Sequence, residues 1–456
     1  MILRSRILAC ASSLLLLSGC SFDLGETVGL GAGSGGGATA LTVGDEPFAV
    51  KAGAAILAQG GSAVDAATAM YFTLAVTYPV AAGLGGGGIC IVRDAAGGRI
   101  EEFDFLARDS GGGGAYAVPG NVRGFALMQS LYGALPWQRD VAPGEGFASA
   151  GFPISRALAV RLAAAQDVVR LDANLAAEFL DESGNAKAAG TVVSNRELAQ
   201  TLAAIRTDGP NGFYRGAIGA RILAYSSAQG GAIGVPEFAR YQARRSTPQV
   251  TQIGGQTVYF PAAGTGAGAF AGALFDTLNR TQQVSAGEDL QASVVVAVKQ
   301  ALARFGVANL PQDLGATGFA ATDANGQSVA CAVTMNGPFG SGHNAAGTGV
   351  TLARAPSSGQ AGLAAAFVTP VIATEGQGGA LSLVGTGAGG PNGTAAMGYA
   401  LARLSRGDAL TRRSDLRSTG VAPYDTINVI ACQNRACVAL PDPASNGLGA
   451  TGDPAL

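Results

Sequence analysis

Residues 316–336 read ATGFAATDANGQSVACAVTMN. Small and β-branched residues fill both arms, and the arms flank Asp323-Ala324-Asn325-Gly326. Asn-Gly favours a tight hairpin turn, because both central residues must take positive φ. The stretch therefore predicts antiparallel strands over 317–322 and 328–336. Working outward, strand patterns recur at 89–93, 99–106, 364–374 and 380–385, and again around Cys432. Helical spacing marks 62–76, with Ser62 as N-cap and Asp65 in the first turn. It also marks 119–132, 154–166, 216–228, 266–279 and 287–305. Ser194-Asn195-Arg196-Glu197 reads as a capping box opening a helix that ends near Thr207. No short-period repeat interrupts this alternation.

The chain has 456 residues, enough for two or three domains or one large unit with a substantial core. Gly 70 and 48% hydrophobic residues, with only 13% charged, describe a densely packed chain of small residues. Lys+Arg 29 against Asp+Glu 31 leaves −2, so no basic field invites nucleic acid. His343 is the single histidine. Its scarcity excludes histidine-rich metal sites, and any Ser-His-Asp triad would have to use it. No metal and no cofactor are expected.

The start, MILRSRILACASSLLLLSGCS, places Arg4 and Arg6 before an apolar run too short to span a bilayer. Leu17-Ser18-Gly19-Cys20 resembles the bacterial lipobox. It implies a signal peptide over 1–19 and acylation of Cys20, with an ordinary signal peptide as the alternative. Residues 20–40, containing GLGAGSGGGATA, read as a flexible tether. The expected location is the bacterial cell envelope, lipid-anchored and facing the periplasm. Ser21 after the cysteine points to the outer membrane of a Gram-negative cell. The membrane is then a partner through the anchor. Cys432 and Cys437 bracket a turn between apolar runs, so they form either a disulfide in an oxidising compartment or a free pair. Cys90 and Cys331 lie in strand-like runs and read as buried thiols.

The segments GGSAVDAATAM (60–70), AGLGGGGICIV (82–92), PGNVRGFALMQSLYGALPW (119–137), GFPIS (151–155), GPNGFYRGAI (209–218), TDANGQSVACAVTMNGPFGSG (322–342), TPVI (369–372) and LVGTGAGG (383–390) occur in one order. In that order they resemble the gamma-glutamyltransferase family, also called glutathione hydrolases. The resemblance implies an α+β, N-terminal-nucleophile hydrolase-like αββα sandwich, in which two stacked, mostly antiparallel sheets lie between helical layers. It divides the chain into a large-subunit-like segment, 41–315, and a small-subunit-like segment, 316–456, within one catalytic-type fold. Members cut their own chain before a threonine, which then carries the gamma-glutamyl group with its own α-amino group as base. That chemistry needs no histidine.

Counted back without gaps from Asp323 and Gly326, the nucleophile position falls on Ala316, which has no hydroxyl. Thr317 is one residue late and would serve only if the register shifted by one. The family's carboxylate-binding arginine is replaced by Leu106; Arg108, two residues on, could take its place if the loop moved. The family's paired aspartates fall on Ala355-Pro356-Ser357-Ser358, and its paired serines on Ala366 and Phe367. Supporting parts persist. Thr334 matches the threonine that bonds the nucleophile, Asn336 a substrate-contacting asparagine, and Gly389-Gly390 the oxyanion pair. Asn336 could equally cap a turn, and the glycines could simply permit a bend.

Three outcomes stay open. The overall resemblance implies an ordinary gamma-glutamyl hydrolase/transferase, which the altered positions oppose. A second is an exported gamma-glutamyltransferase-like lipoprotein with degenerate or lost transfer, keeping the fold for binding or assembly. The third is an active amidohydrolase that uses Thr317 on a different acyl group, with a small gamma-glutamyl or other amide ligand.

Overall fold

The computed structural model describes residues 40–95, 98–284, 289–307, 309–416, 424–434 and 436–452. Cys20, the leader and nearly all of the tether lie outside the described residues. A seven-stranded antiparallel sheet runs in the order Leu448–Thr451, Leu41–Gly44, Ala316–Thr322, Ser328–Thr334, Gly87–Arg93, Ile100–Asp104, Arg244–Ser246. A six-stranded antiparallel sheet runs Ala436–Leu440, Thr426–Gln433, Leu381–Ala388, Thr369–Glu375, Gln256–Phe260, Gln249–Ile253.

The sheets stack face to face. Leu41, Val43, Ile91, Ala320 and Ala330 of the first meet Ile372, Val384 and Ile430 of the second. Period-two alternation sends the neighbouring side chains outward. Phe319 joins the core formed with the Ala63–Thr77 helix. The helices Gly266–Val284, Leu290–Phe305 and Pro391–Ser405 cover the other sheet and enclose its own core. The result is a helix–sheet–sheet–helix sandwich, the architecture that the resemblance implies, with the hairpin 316–334 in the middle of one sheet.

Local chemistry explains the elements. Every residue of Ala63–Thr77 is buried, and its small side chains let it lie close on the sheet. Its start carries the reciprocal bonds of Ser62 and Asp65. Asp65 Oδ2 also accepts the amides of Ala134 and Leu135 at 2.7 and 3.0 Å, tying the next helical layer to this cap.

The structure corrects four of the expectations read from the sequence. Asn195, not Ser194, caps the Arg196–Asp208 helix, because its Oδ1 accepts from Leu198 N at 2.9 Å. The helix expected over 154–166 is Arg156–Ala164, followed by a short separate turn, Gln166–Val169. Residues Ala361–Phe367 form a 3-10 helix, and the strand begins only at Thr369. Cys90 and Cys331 are not thiols: they form a disulfide. They are directly opposed on adjacent antiparallel strands, a register that two separate apolar runs do not reveal. Cys432 and Cys437 are likewise opposed and bonded. No helix among the described residues is long and apolar enough to cross a membrane.

Candidate active site

The hairpin pairs without a bulge from Ser328↔Thr322 to Thr334↔Ala316. Thr334 therefore lies opposite Ala316, and Thr317 lies opposite Val333. The one-residue shift that would bring Thr317 to Thr334 is not present. Ala316 is 1% exposed, and its methyl group packs with Ile89, Ala267, Ala332, Val368 and Ala388. Leu106 borders the same cluster. The positions assigned to the nucleophile and to the carboxylate-binding arginine thus share one neighbourhood, and it is apolar.

Thr317 is fully buried, and its hydroxyl donates to Asp45 Oδ2 at 2.7 Å. The same carboxylate accepts from Thr426 Oγ1 and Asn428 Nδ2, each at 2.9 Å. Asp45 follows the Leu41–Gly44 strand, whereas Thr426 and Asn428 belong to the other sheet. Thr317 is one donor in a buried knot that joins the two sheets. Asp45 was not singled out in the sequence, since an isolated Asp-Glu pair carries no spacing signal.

The main chain at Gly315–Ala316 is surrounded by donors. The Gly315 carbonyl accepts from Met335 N–H at 2.9 Å and from Thr334 Oγ1 at 3.1 Å. Thr334 Oγ1 in turn accepts from Asn336 N–H at 2.9 Å. Asn336 takes φ +58, and its Nδ2 donates to the Arg354 carbonyl at 2.8 Å, so its side chain holds backbone. Gly315 has φ +62, and a Cβ there would fall 2.0 Å from the Gly337 carbonyl oxygen, so only glycine fits. Arg161, 1% exposed, binds Asp313 through Nε at 2.9 Å and through Nη2, and donates from Nη1 to the Ala316 carbonyl at 3.0 Å. Burial opposes the charge of this guanidinium, but Asp313 and Tyr78 more than offset it and hold its pKa above the ordinary arginine value.

The other expected positions lie as follows. Arg108 stacks on Tyr241 at 4.7 Å from the ring centroid, and its backbone pairs with Val118. Leu106 is anchored by its backbone, with N–H on Asp104 at 3.0 Å and carbonyl on the Tyr241 hydroxyl at 2.8 Å. Ser357 does meet a carboxylate, but one supplied by Asp109, which accepts from Ser357 N and Oγ at 2.9 and 2.7 Å. Ala366 and Phe367 are buried in the core of the six-stranded sheet.

Gly389 has φ +95, and Gly390 caps the Pro391–Ser405 helix. Asp425 stands at this helix start, accepting from Asn392 Nδ2 at 2.8 Å and from Asn392 N at 3.3 Å. A Cβ on Gly390 would fall 2.3 Å from Asp425 Oδ1. The positive end of the helix already faces a carboxylate, so an oxyanion there would meet like charge. His343 binds the Tyr116 hydroxyl through Nδ1 at 2.8 Å. Among the described residues no group of three or more His, Cys, Asp or Glu side chains could hold a metal.

The family model for gamma-glutamyltranspeptidase matches residues 49–304, more than half of the chain. The chain belongs to the gamma-glutamyltranspeptidase family. The glutathione hydrolase proenzyme of Escherichia coli K12 is 34% identical over 232 residues, which cover 46% of this chain and 40% of that relative. The chain thus spans less than half the length of this curated relative. In structure, the fold resembles cephalosporin acylase from Bacillus halodurans, with a TM-score of 0.70 at 17% identity over 91% of this chain and 96% of that one. It also resembles Helicobacter pylori gamma-glutamyltranspeptidase, with a TM-score of 0.52 at 24% identity over 57% of this chain and 82% of that one. The match at 49–304 covers the helical layer and the first strands; Ala316 lies beyond it.

Proposed function

We propose that this chain is an exported, lipid-anchored member of the gamma-glutamyltranspeptidase family that stays uncut and performs no gamma-glutamyl transfer. The carrying observation is the pairing of Ala316 with Thr334 in a bulge-free hairpin. The hydroxyl needed to attack the preceding carbonyl, and later the substrate, is missing at the one place where the hairpin would present it. Leu106 at the edge of the apolar cluster that holds Ala316, and Asp425 at the Gly389-Gly390 turn, support the same reading, since neither favours a zwitterionic substrate or an oxyanion. The lipobox at Cys20 and two disulfides support an oxidising, periplasm-facing location at the outer membrane. Such a protein keeps the fold for binding or assembly at the envelope.

Thr317 as the nucleophile of an active amidohydrolase is the poorer reading, because its hydroxyl is committed to Asp45 in the core. Intact mass of the purified mature protein tests the proposal. A single chain that begins at acylated Cys20 is expected. Two chains parting before residue 316 or 317 would overturn it. Cys20→Ala is expected to release the body from membranes, and a variant that still sediments with washed membranes would refute the anchor.

A further inference from the structure

The segment 309–315, just upstream of the Ala316–Thr322 strand, is fastened at its start and along its last three residues. The Asn309 carbonyl accepts from Gln360 Nε2 at 2.9 Å. Leu314 is 3% exposed and enters the core under the six-stranded sheet. Asp313 Oδ1 accepts the Gly315 amide at 2.7 Å. Arg161 stands at the centre of these contacts. Its guanidinium reaches the Asp313 carboxylate upstream of the junction and the Ala316 carbonyl downstream of it, and it lies 5.4 Å from the Tyr78 ring centroid. A guanidinium this deeply buried is retained only when paired. Both of its strong partners belong to the junction. Were the segment to leave, as it could once the chain parted, Arg161 would lose the Asp313 carboxylate and stay buried with only two neutral acceptors, the Ala316 carbonyl at 3.0 Å and the Tyr78 hydroxyl at 3.5 Å.

We propose that Arg161 is a positioning residue that makes the intact Gly315–Ala316 junction a strap, holding 309–315 against the fold as a structural part of a continuous chain. The proposal rests on the uncut reading above and deepens it: the fold uses the continuous chain through 309–315 as one of its structural parts.

The test is limited proteolysis of the full mature protein, with sites mapped by mass. Arg161→Met, Asp313→Asn and the double variant are compared with wild type, and cleavage in 309–315 is normalised to cleavage in the exposed 181–190 turn. Each variant is expected to be clipped in 309–315 at least tenfold faster, with the 181–190 rate unchanged. A general loosening would raise both rates. The fragments should stay joined until reduction, because Cys90–Cys331 bridges the two sides. Folded variants whose relative rate at 309–315 stays within twofold of wild type would overturn the proposal. If the variants do not fold, hydrogen exchange on wild type decides. Gly315 N–H should be protected as well as the amides of the adjoining strand, and rapid exchange there would overturn it. A wild-type protein already parted at 315/316 is a separate result, which breaks the uncut reading itself.

Discussion

The two sides of the Gly315–Ala316 peptide differ in what they retain. Around the main chain the polar frame is complete: Met335 N–H and Thr334 Oγ1 on one carbonyl, Arg161 on the next, and a glycine that only this turn requires. Around the side chain of Ala316, in the reading proposed above, the site is dismantled: alanine stands in place of the hydroxyl, Leu106 in place of the arginine and Ser357-Ser358 in place of the aspartates, while Asp425 faces the Gly389-Gly390 turn. Groups of the first kind also hold backbone, so removing them would cost the fold directly. The hydroxyl, arginine and aspartates would bond a substrate and little else, so losing them leaves the fold intact. The same division would let a chain of the kind proposed keep this architecture without its chemistry.

The sharpest way to break that contrast is to restore the hydroxyl. Ala316→Thr places a hydroxyl beside a carbonyl already polarised by two donors. The expected outcome is scission between residues 315 and 316, read as two masses after reduction and one before it. The substrate side would still lack its clamps, and no gamma-glutamyl turnover should follow. An intact variant chain would mean that the polar frame serves only the fold.

The wild type itself bears on the other half of the comparison. With a chromogenic gamma-glutamyl anilide or glutathione, turnover at background is expected. Loss of a catalytic nucleophile costs on the order of 10⁶ in rate in a serine protease. Missing charge-assisted hydrogen bonds to the amino-acid zwitterion remove roughly 1.5–3 kcal/mol each. Robust wild-type turnover that vanishes in Thr317→Ala would overturn the silent reading and make Thr317 the nucleophile, despite its bond to Asp45.

The two disulfides give a graded test of what holds the fold, since only the first joins the two halves. Cys90–Cys331 spans a sequence separation of 241 and Cys432–Cys437 a separation of 5. Chain-entropy reasoning assigns about 5 kcal/mol to the first and about 2 kcal/mol to the second. Denaturant melts of the Cys90→Ala/Cys331→Ala and Cys432→Ala/Cys437→Ala proteins should rank in that order. Equal losses would show that native packing, not loop closure, sets the stabilisation.

Much of the fold was legible because its signals are local. The Asn-Gly turn with its two flanking arms marked the central hairpin, and Ser62 with Asp65 marked the buried helix. The family order supplied the sandwich that these elements build. What escaped was non-local. Cys90 and Cys331 are 241 residues apart, and only strand register opposes them. Asp45 meets Thr317, Thr426 and Asn428 from the far end of the chain. Arg161 and Asp313 carry no motif at all. The site was legible where it matched a pattern and illegible where buried polar groups had become fold structure.

The smallest effect expected concerns one such buried group far from the junction. Asp140 is fully buried at the start of the Trp137–Ala150 helix, beside Asp65 of the capping box. Burial first, and then the Asp65 charge, push its pKa up to about 9. Its proton is therefore favoured by folding. The stabilisation is complete below the ordinary aspartate range and is lost as pH rises from there to about 9. At pH 8 the unfolded chain ionises Asp140 freely while the folded chain must keep it neutral. Asp140→Asn keeps the shape and removes that conflict, so it should stabilise the protein at pH 8 by about 1–2 kcal/mol, within the usual yield of a single stabilising change. Urea melts from pH 4 to pH 9 would check it. The gain should shrink toward acid pH, and a gain independent of pH would show that Asp140 is not the titrating group.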